Sequence, residues 1–438
     1  MTNEPKKFRI ITLGCKVNQY ESAYLEETLA GAGWRVAGGD ETADAAIVNT
    51  CIVTRRAAHQ SRQAIRKAIR ENPSGVVAAV GCYAQVFPEE LSQIEGLGLI
   101  ADNRMKAEVP AFLLRGDASP ETALLLKSFE HGGRFDVMEI RRFPGRARAY
   151  LKIQDGCESF CSYCIVPFAR GPYRSLPPEK VIRMLETLSH QGCGEVVLTG
   201  IHLGKYGEDL GGGMDLVSLL RRIGREGFPL RIRLSSIEPN EVGMGLIEMA
   251  ASEPWLCRHF HIPLQSGDDR VLHRMNRHYT ARGFADAVET IYDKIPHAAI
   301  GVDIMAGFPG EDSEAFDIGY SLLKDLPVSY LHVFPFSPRP GTAASRFTGR
   351  VDPEEIKKRA ARLRALGERK RLLFYQGCLG KEFPVLTERR ESRERGLILG
   401  TSDNYLPAVF PLTRDSAQGL FQVRMEQIEG RRVIGTVV

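Results

Sequence analysis

The run Lys152-Ile153-Gln154-Asp155-Gly156-Cys157-Glu158-Ser159-Phe160-Cys161-Ser162-Tyr163-Cys164 sets three cysteines directly behind a β-like segment at 149–154. The spacing Cys-x-x-x-Cys-x-x-Cys lets one short loop present three thiolates to a single centre. Three is one fewer than a closed structural zinc site uses. A [4Fe–4S] cube held by three thiolates keeps one iron open. A zinc knuckle lacking its last ligand and a set of redox thiols are the other readings of this spacing. An open metal corner is a place for chemistry, so the pattern points to an enzyme.

Downstream, β-like segments recur at 195–199, 231–235, 259–263, 299–305 and 330–336, with helical stretches such as 178–191 and 281–292 between them. With 149–154 these make six β/α units, which predicts a parallel-stranded β/α barrel, complete or partly open. Such barrels place their sites at the C-terminal strand ends, where the cysteine loop falls. Asp352-Pro353-Glu354-Glu355 announces a last helix: an N-cap, a proline at the first helical position, and carboxylates at the positive end. From 377 to 438, short β-like segments (382–386, 396–399, 407–410, 419–425, 432–438) alternate with turn residues. They predict a small all-β barrel of the oligonucleotide-binding kind.

Upstream, 9–13, 45–48 and 76–80 read as strands, and 18–32, 54–71 and a stretch from Pro88 as helices. That alternation predicts an α/β domain with a parallel sheet. It also locates a second cysteine set, in Leu13-Gly14-Cys15, Asn49-Thr50-Cys51 and Val80-Gly81-Cys82. Each follows the C-terminal end of a strand, the edge where open α/β sheets bind ligands. Cys15, Cys51 and Cys82 are therefore expected at one rim; three buried packing thiols are the alternative. Cys193, Cys257 and Cys378 fit neither set and read as packing thiols. Gly116, Pro120, Gly132-Gly133 and the basic run from Arg141 to Arg148 read as an interdomain connection. The expected organisation is 1–118, a linker at 119–142, a barrel domain at 143–375 and a β-domain at 376–438.

The chain has 438 residues, 43% hydrophobic and 26% charged, which is ordinary for a soluble multidomain protein. Its net charge of +4 permits a nucleic-acid partner without demanding one. Nine cysteines are too few for a disulfide scaffold, and the start shows no secretory leader. No apolar run approaches the roughly 20 residues that span a bilayer. These features predict a cytoplasmic protein with reduced thiols and no membrane partner.

The compact motif resembles that of the radical S-adenosylmethionine enzymes, including the aromatic Tyr163 before the last cysteine. In that superfamily the open iron chelates S-adenosylmethionine, and an electron from the cluster cleaves it to a 5′-deoxyadenosyl radical. The resemblance implies cofactor contacts at Tyr163, Thr199, Gly200, Ser235, Glu238 and Gly307. The single glycines also suit ordinary βα turns. Over nearly the whole chain, the three-part organisation resembles the radical methylthiotransferases, whose final domain is a TRAM RNA-binding barrel. Further runs carry this likeness: His261-Ile262-Pro263-Leu264-Gln265-Ser266-Gly267 and Phe336-Ser337-Pro338-Arg339-Pro340-Gly341-Thr342. It implies two [4Fe–4S] clusters, one on Cys157, Cys161 and Cys164 and an auxiliary one on Cys15, Cys51 and Cys82 that carries the sulfur to be inserted.

The context Gly14-Cys15-Lys16-Val17-Asn18 resembles the MtaB branch of the family. That branch converts N6-threonylcarbamoyladenosine at position 37 of tRNA to its 2-methylthio derivative. Branches acting on N6-isopentenyladenosine tRNA or on a ribosomal protein are the related alternatives. An iron–sulfur RNA-binding regulator without turnover is the alternative of another class. The implied partners are a tRNA anticodon stem-loop and an electron donor such as flavodoxin or ferredoxin, with the enzyme monomeric. Candidate phosphate contacts are Arg55, Arg62 and Arg66 on the helix after Cys51, and Arg389, Arg390 and Arg393 in the tail; solvated charged faces are the other reading. Tyr405 and Phe421 are expected either to stack on bases or to fill the small barrel's core. His261 reads as a cofactor contact, a substrate contact or a structural histidine.

Overall fold

Six parallel strands build the N-terminal sheet, in the order Arg35–Val36, Lys7–Thr12, Ala45–Thr50, Val76–Gly81, Leu99–Ala101 and Ala123–Leu125. The computed structural model describes residues 4–116, 121–130, 132–143, 147–391, 396–411 and 419–438. Every residue of Ala45–Thr50 is buried, as a central strand covered on both faces requires. Helix Lys16–Gly31 covers one face, setting Leu25 and Leu29 beside Phe8 and Ile47. Helix Arg55–Glu71 covers the other through Ala58, Ile65 and Ala68. Its start is fixed by Thr54, whose hydroxyl accepts the Ala57 N–H at 3.0 Å. The sixth strand falls inside the stretch expected to be a connection. Its three-residue apolar run is too short to show a period in sequence, yet it pairs in register with Leu99–Ala101. Beyond it, Met138 and Ile140 pack into the core of the barrel.

The barrel strands Arg148–Lys152, Glu195–Thr199 and Arg231–Leu234 form one parallel run, and His259–Gln265, Ala299–Ala306 and Tyr330–Pro335 another. Isolated parallel bridges between Ile232 and Leu256 and between Ser236 and His261 join the two. Among the described residues the first and sixth strands do not pair, so the barrel is partly open. Helix Lys16–Gly31 of the N-terminal unit packs beside the first strand. Helix Pro353–Cys378, capped by Asp352 as expected, packs on the sixth. There Gly367 lets the backbones approach: a Cβ on it would stand 3.1 Å from that of Leu331. No helix among the described residues is long and apolar enough to cross a membrane.

The tail closes into a five-stranded barrel, in the order Glu382–Glu391, Leu397–Ser402, Pro407–Pro411, Arg432–Val437 and Leu420–Glu429. It docks at the N-terminal ends of the large barrel's strands, away from the cysteine loop. Buried Glu195 pairs with Arg231 at 2.6 Å and Arg233 at 2.8 Å. The guanidiniums then donate to tail carbonyls: Arg231 to Pro384 (2.8 Å) and Thr401 (2.7 Å), Arg233 to Asp403 (2.8 Å) and Ser402 (2.9 Å). Tyr405 leaves the small barrel's core; its ring lies 4.5 Å from that of His259, with Arg233 5.1 Å over it. Phe421 stays in the small barrel, 6.2 Å from Phe410.

Candidate metal centres

The compact cysteine loop leaves the first barrel strand through Gly156, whose φ of +81° suits glycine and where a Cβ would strike the Pro172 carbonyl. Later segments fasten the loop. Ser162 N–H donates to Met275 at 2.9 Å, and Asn276 donates to the carbonyls of Ser159 (3.0 Å) and Phe160 (3.2 Å). Each sulfur has a nitrogen beside it. His202 Nδ1 lies 3.7 Å from Cys157, Arg277 donates to Cys161 at 3.3 Å, and the Val166 N–H donates to Cys164 at 3.4 Å. Burial, with Cys161 alongside, pushes the Cys164 thiol up to about 12. The Cys157 thiol is lowered: burial opposes ionisation, but hydrogen bonding to His202 and Ser159 outweighs it. Three free thiols with nitrogen donors on the sulfurs fit a thiolate-held iron–sulfur cluster.

The dispersed set meets at the rim as expected. Cys15 and Cys51 follow adjacent strands, and Cys82 opens the helix Cys82–Val86 after the next one. The Cys15 loop crosses close over Cys51: a Cβ on Gly14 (φ +93°) would stand 2.8 Å from the Cys51 Cβ and 2.9 Å from its sulfur. Burial, with Cys82 and then Cys15 nearby, pushes the Cys51 thiol up to about 11. Cys82 accepts hydrogen bonds from Arg170 Nε at 3.3 Å and Asn103 at 3.6 Å. All three cysteines are free, and the donor set fits a second cluster of the same kind.

A buried ionic seam joins the two units. Glu21, on the first helix, pairs with Lys106, with Lys152 at 3.1 Å and with Arg170 at 2.5 Å. Asp155 pairs with Lys152 at 3.0 Å and Arg170 at 3.4 Å, and accepts the Gly156 N–H at 2.9 Å beside Cys157. Sequence reading missed this seam. Its one local signal is Glu21 standing on the helix stripe Asn18, Glu21, Leu25 and Leu29, every member of which is buried.

The expected cofactor contacts divide. Glu238 lines a cavity of about 340 Å³ with Cys161, His202, Glu241 and Arg277, and is ion-paired to Arg277. Ser235 Oγ is buried without a hydrogen-bond partner, which suits a polar ligand. Thr199 is buried at its strand end, and Tyr163 packs edge-on against Phe308 at 6.3 Å. Gly200 is required by Gln154, whose Oε1 would lie 2.8 Å from a Cβ there; Gly307 is required by Ile356, so packing accounts for both. Arg277 and His202 were not singled out in sequence, since each comes from a loop distant from the cysteines.

On the inner face of the later strands, His261 Nε2 and His332 Nδ1 both reach Asp303 Oδ1, at 2.8 and 3.3 Å. Tyr330 OH lies 3.3 Å from the other His261 nitrogen and 2.8 Å from His259. Lys16, next to Cys15, feels the charges of Arg233, Arg148 and Asp303, and has no hydrogen bond or ion pair among the described residues. Burial first, then Arg233 and Arg148, hold its pKa below the ordinary lysine value.

Of the expected RNA contacts, Arg55 and Arg66 are exposed on one face of their helix. Arg62 is turned away, hydrogen-bonded to Tyr83 OH and 3.9 Å from Glu90. Arg393 lies outside the described residues, as do the side chains of Arg389 and Arg390. On helix Pro353–Cys378, Lys370 donates to the Leu326 carbonyl at 2.6 Å and Arg362 forms a surface pair with Asp317 at 3.1 Å, while Lys358 and Arg364 are exposed.

Residues 151–318 match the Radical SAM superfamily and residues 7–100 match Uncharacterized protein family UPF0004. Threonylcarbamoyladenosine tRNA methylthiotransferase MtaB of Bacillus subtilis (strain 168) is 36% identical over 418 residues, covering 94% of this chain and 92% of the relative. The chain belongs to the radical S-adenosylmethionine methylthiotransferases. A methylthiotransferase of the same name from Aquifex aeolicus (strain VF5) is 39% identical, covering 86% of this chain and 91% of its own. The tRNA-2-methylthio-N(6)-dimethylallyladenosine synthase of Pelotomaculum thermopropionicum is 31% identical, with 92% of each chain covered. Among solved structures, the radical S-adenosylmethionine methyltransferase TsrM from Kitasatospora setae aligns with a TM-score of 0.55 at 15% identity, over 78% of this methylthiotransferase and 74% of that chain. That likeness is one of fold.

Proposed function

We propose that this methylthiotransferase acts on tRNA, adding a methylthio group at C2 of N6-threonylcarbamoyladenosine beside the anticodon. The observation that carries the choice of nucleoside is the polar inner face formed by His261, Asp303, His332 and Tyr330, with Lys16, unpaired among the described residues, within electrostatic reach of Asp303. A threonylcarbamoyl group brings a carboxylate, a hydroxyl and a urea, which such groups can satisfy. A dimethylallyl group would cover this face without offering a partner to Lys16 or to the second His332 nitrogen, at a cost of about 1–3 kcal/mol each. The names of the Bacillus and Aquifex relatives support the same choice.

Cys157, Cys161 and Cys164 would hold one [4Fe–4S] cluster, and Cys15, Cys51 and Cys82 the other. When bound with S-adenosylmethionine, these groups supply the one-electron chemistry and the sulfur that acid–base side chains cannot. The chain's own part is to position and to enclose. Glu238 and Arg277 shape the cavity beside Cys161, and Ser235, at the end of the third strand, carries a buried hydroxyl without a partner among the described residues. Asp303 and Tyr330 take the two His261 nitrogens, and His332, with one nitrogen toward Asp303, keeps the other to orient substrate. Arg55 and Arg66 are proposed as phosphate contacts, with a flavodoxin or ferredoxin as electron donor and a monomeric enzyme in the cytoplasm.

Mass spectrometry of tRNA nucleosides from a strain lacking the gene tests the reading. Loss of 2-methylthio-N6-threonylcarbamoyladenosine, regained with the wild-type chain, is expected. Loss of the 2-methylthio dimethylallyl nucleoside instead would transfer the enzyme to the branch of the Pelotomaculum relative.

A further inference from the structure

Arg170 belongs to the short helix Val166–Arg170 that follows the compact cysteine loop, yet its side chain ends among the dispersed cysteines. It is fully buried. Nε donates to Cys82 Sγ at 3.3 Å, Nη2 to Asn18 Oδ1 at 2.7 Å, and Nη1 to Glu21 at 2.5 Å. Asn18 in turn donates to the carbonyls of Leu13 (2.7 Å) and Thr50 (3.0 Å), which precede Gly14-Cys15 and Cys51. One guanidinium thus touches the Cys82 sulfur directly and steadies the other two cysteine loops through a single asparagine. A second N–H reaches Cys82 from Asn103 at 3.6 Å, and Asn103 is held by the Ala169 carbonyl at 2.6 Å.

The charges of the seam do not cancel. Among the described residues Arg170, Lys106, Lys152 and Arg174 form ion pairs only with Glu21 and Asp155, with Arg174 3.8 Å from Asp155; Asp136, itself paired with Arg104, acts on Lys152 and Arg174 from farther off. Buried charge is normally matched. The seam therefore has positive charge in surplus, and the thiolate rim is the anion it abuts.

We propose that Arg170 is the positioning residue that sets the reduction potential of the cluster on Cys15, Cys51 and Cys82, by donating a charge-assisted hydrogen bond to the Cys82 sulfur. This rests on the reading that those cysteines hold a [4Fe–4S] cluster. A donor on a ligand sulfur and a nearby cation both stabilise the added electron, so they raise the potential. Arg170 is not a catalytic residue; it acts through Cys82.

The test is a redox titration followed by electron paramagnetic resonance, on anaerobically reconstituted full-length protein. To observe the auxiliary cluster alone, Cys157, Cys161 and Cys164 are replaced by alanine. In that background Arg170→Gln is expected to shift the potential negative, and Arg170→Lys to shift it less. Asn103→Ala removes the neutral donor without disturbing the seam, and is expected to give a smaller negative shift. It decides the matter if the arginine variants do not fold. In the converse background, lacking Cys15, Cys51 and Cys82, Arg170→Lys is expected to leave the other cluster's potential unchanged. Equal auxiliary potentials in wild type, Arg170→Lys and Asn103→Ala overturn the proposal, as does an equal shift of both clusters. Failure of the auxiliary background to bind about four irons would instead remove the ligand assignment beneath it.

Discussion

Each cysteine set is built so that one residue type does one task, and single substitutions should separate the tasks. With both clusters reconstituted the protein should hold about eight irons, and Cys51→Ala should leave about four. Iron analysis and S-adenosylmethionine cleavage assays on that variant check it: cleavage should persist, and loss of all iron would contradict two independent centres. Asp303 orients both His261 and His332. Asp303→Asn should cut kcat/KM for threonylcarbamoylated RNA by about 10–100-fold, the equivalent of one charged hydrogen bond at about 1.5–3 kcal/mol. Steady-state kinetics on an anticodon stem-loop measures it, with cluster content as the control. The six proposed cluster cysteines were legible because their signal is local: a fixed spacing in one case and equivalent strand ends in the other. Arg277, His202 and Arg170 were not. Each meets a cysteine sulfur from a distant segment, and no local pattern distinguishes it from the chain's other cationic side chains.

At the scale of elements, the strands expected in the two parallel units fall within one or two residues of those observed, whereas three strands of the tail run three to five residues past their expected ends. Arg35–Val36, Leu99–Ala101 and Ala123–Leu125 escaped because two or three residues carry no period. The docking of the tail barrel could not be read either, because Arg231 and Arg233 look like ordinary alternate polar positions of a strand. Their partner Glu195 is held well below the usual carboxylate range, by Arg233 and Arg231 acting against burial. A carboxyl depressed in the folded state adds stability that is present above its unfolded value near 4.5 and is lost as pH falls toward the folded one. Urea unfolding of wild type should therefore weaken steeply below about pH 4.5. Glu195→Gln should start about 3–5 kcal/mol less stable at neutral pH and show a shallower acid slope. Equal slopes would mean that Glu195 is not coupled to folding.

At the scale of the whole molecule, the tail is more than an appended barrel. Four hydrogen bonds from Arg231 and Arg233 end on its carbonyls, and Tyr405 packs against His259. Deleting residues 379–438 should then lower the melting temperature of the remaining chain, since two buried guanidiniums lose partners worth about 1.5–3 kcal/mol per bond. Calorimetry on the truncated chain checks this; an unchanged melting temperature would mark the tail as an independent bead. The seam at Glu21 and Asp155 has a different consequence for the working cycle. Drawing the N-terminal unit off the barrel would part Glu21 from Lys152 and Arg170 and expose Tyr20, which is buried in the barrel's own hydrophobic core. A joint of this kind serves as a weld, not a hinge. Successive reactants must then come and go by the mouth while the two halves stay shut, so turnover is a matter of traffic through a fixed doorway, and the order of arrivals is where its control will lie.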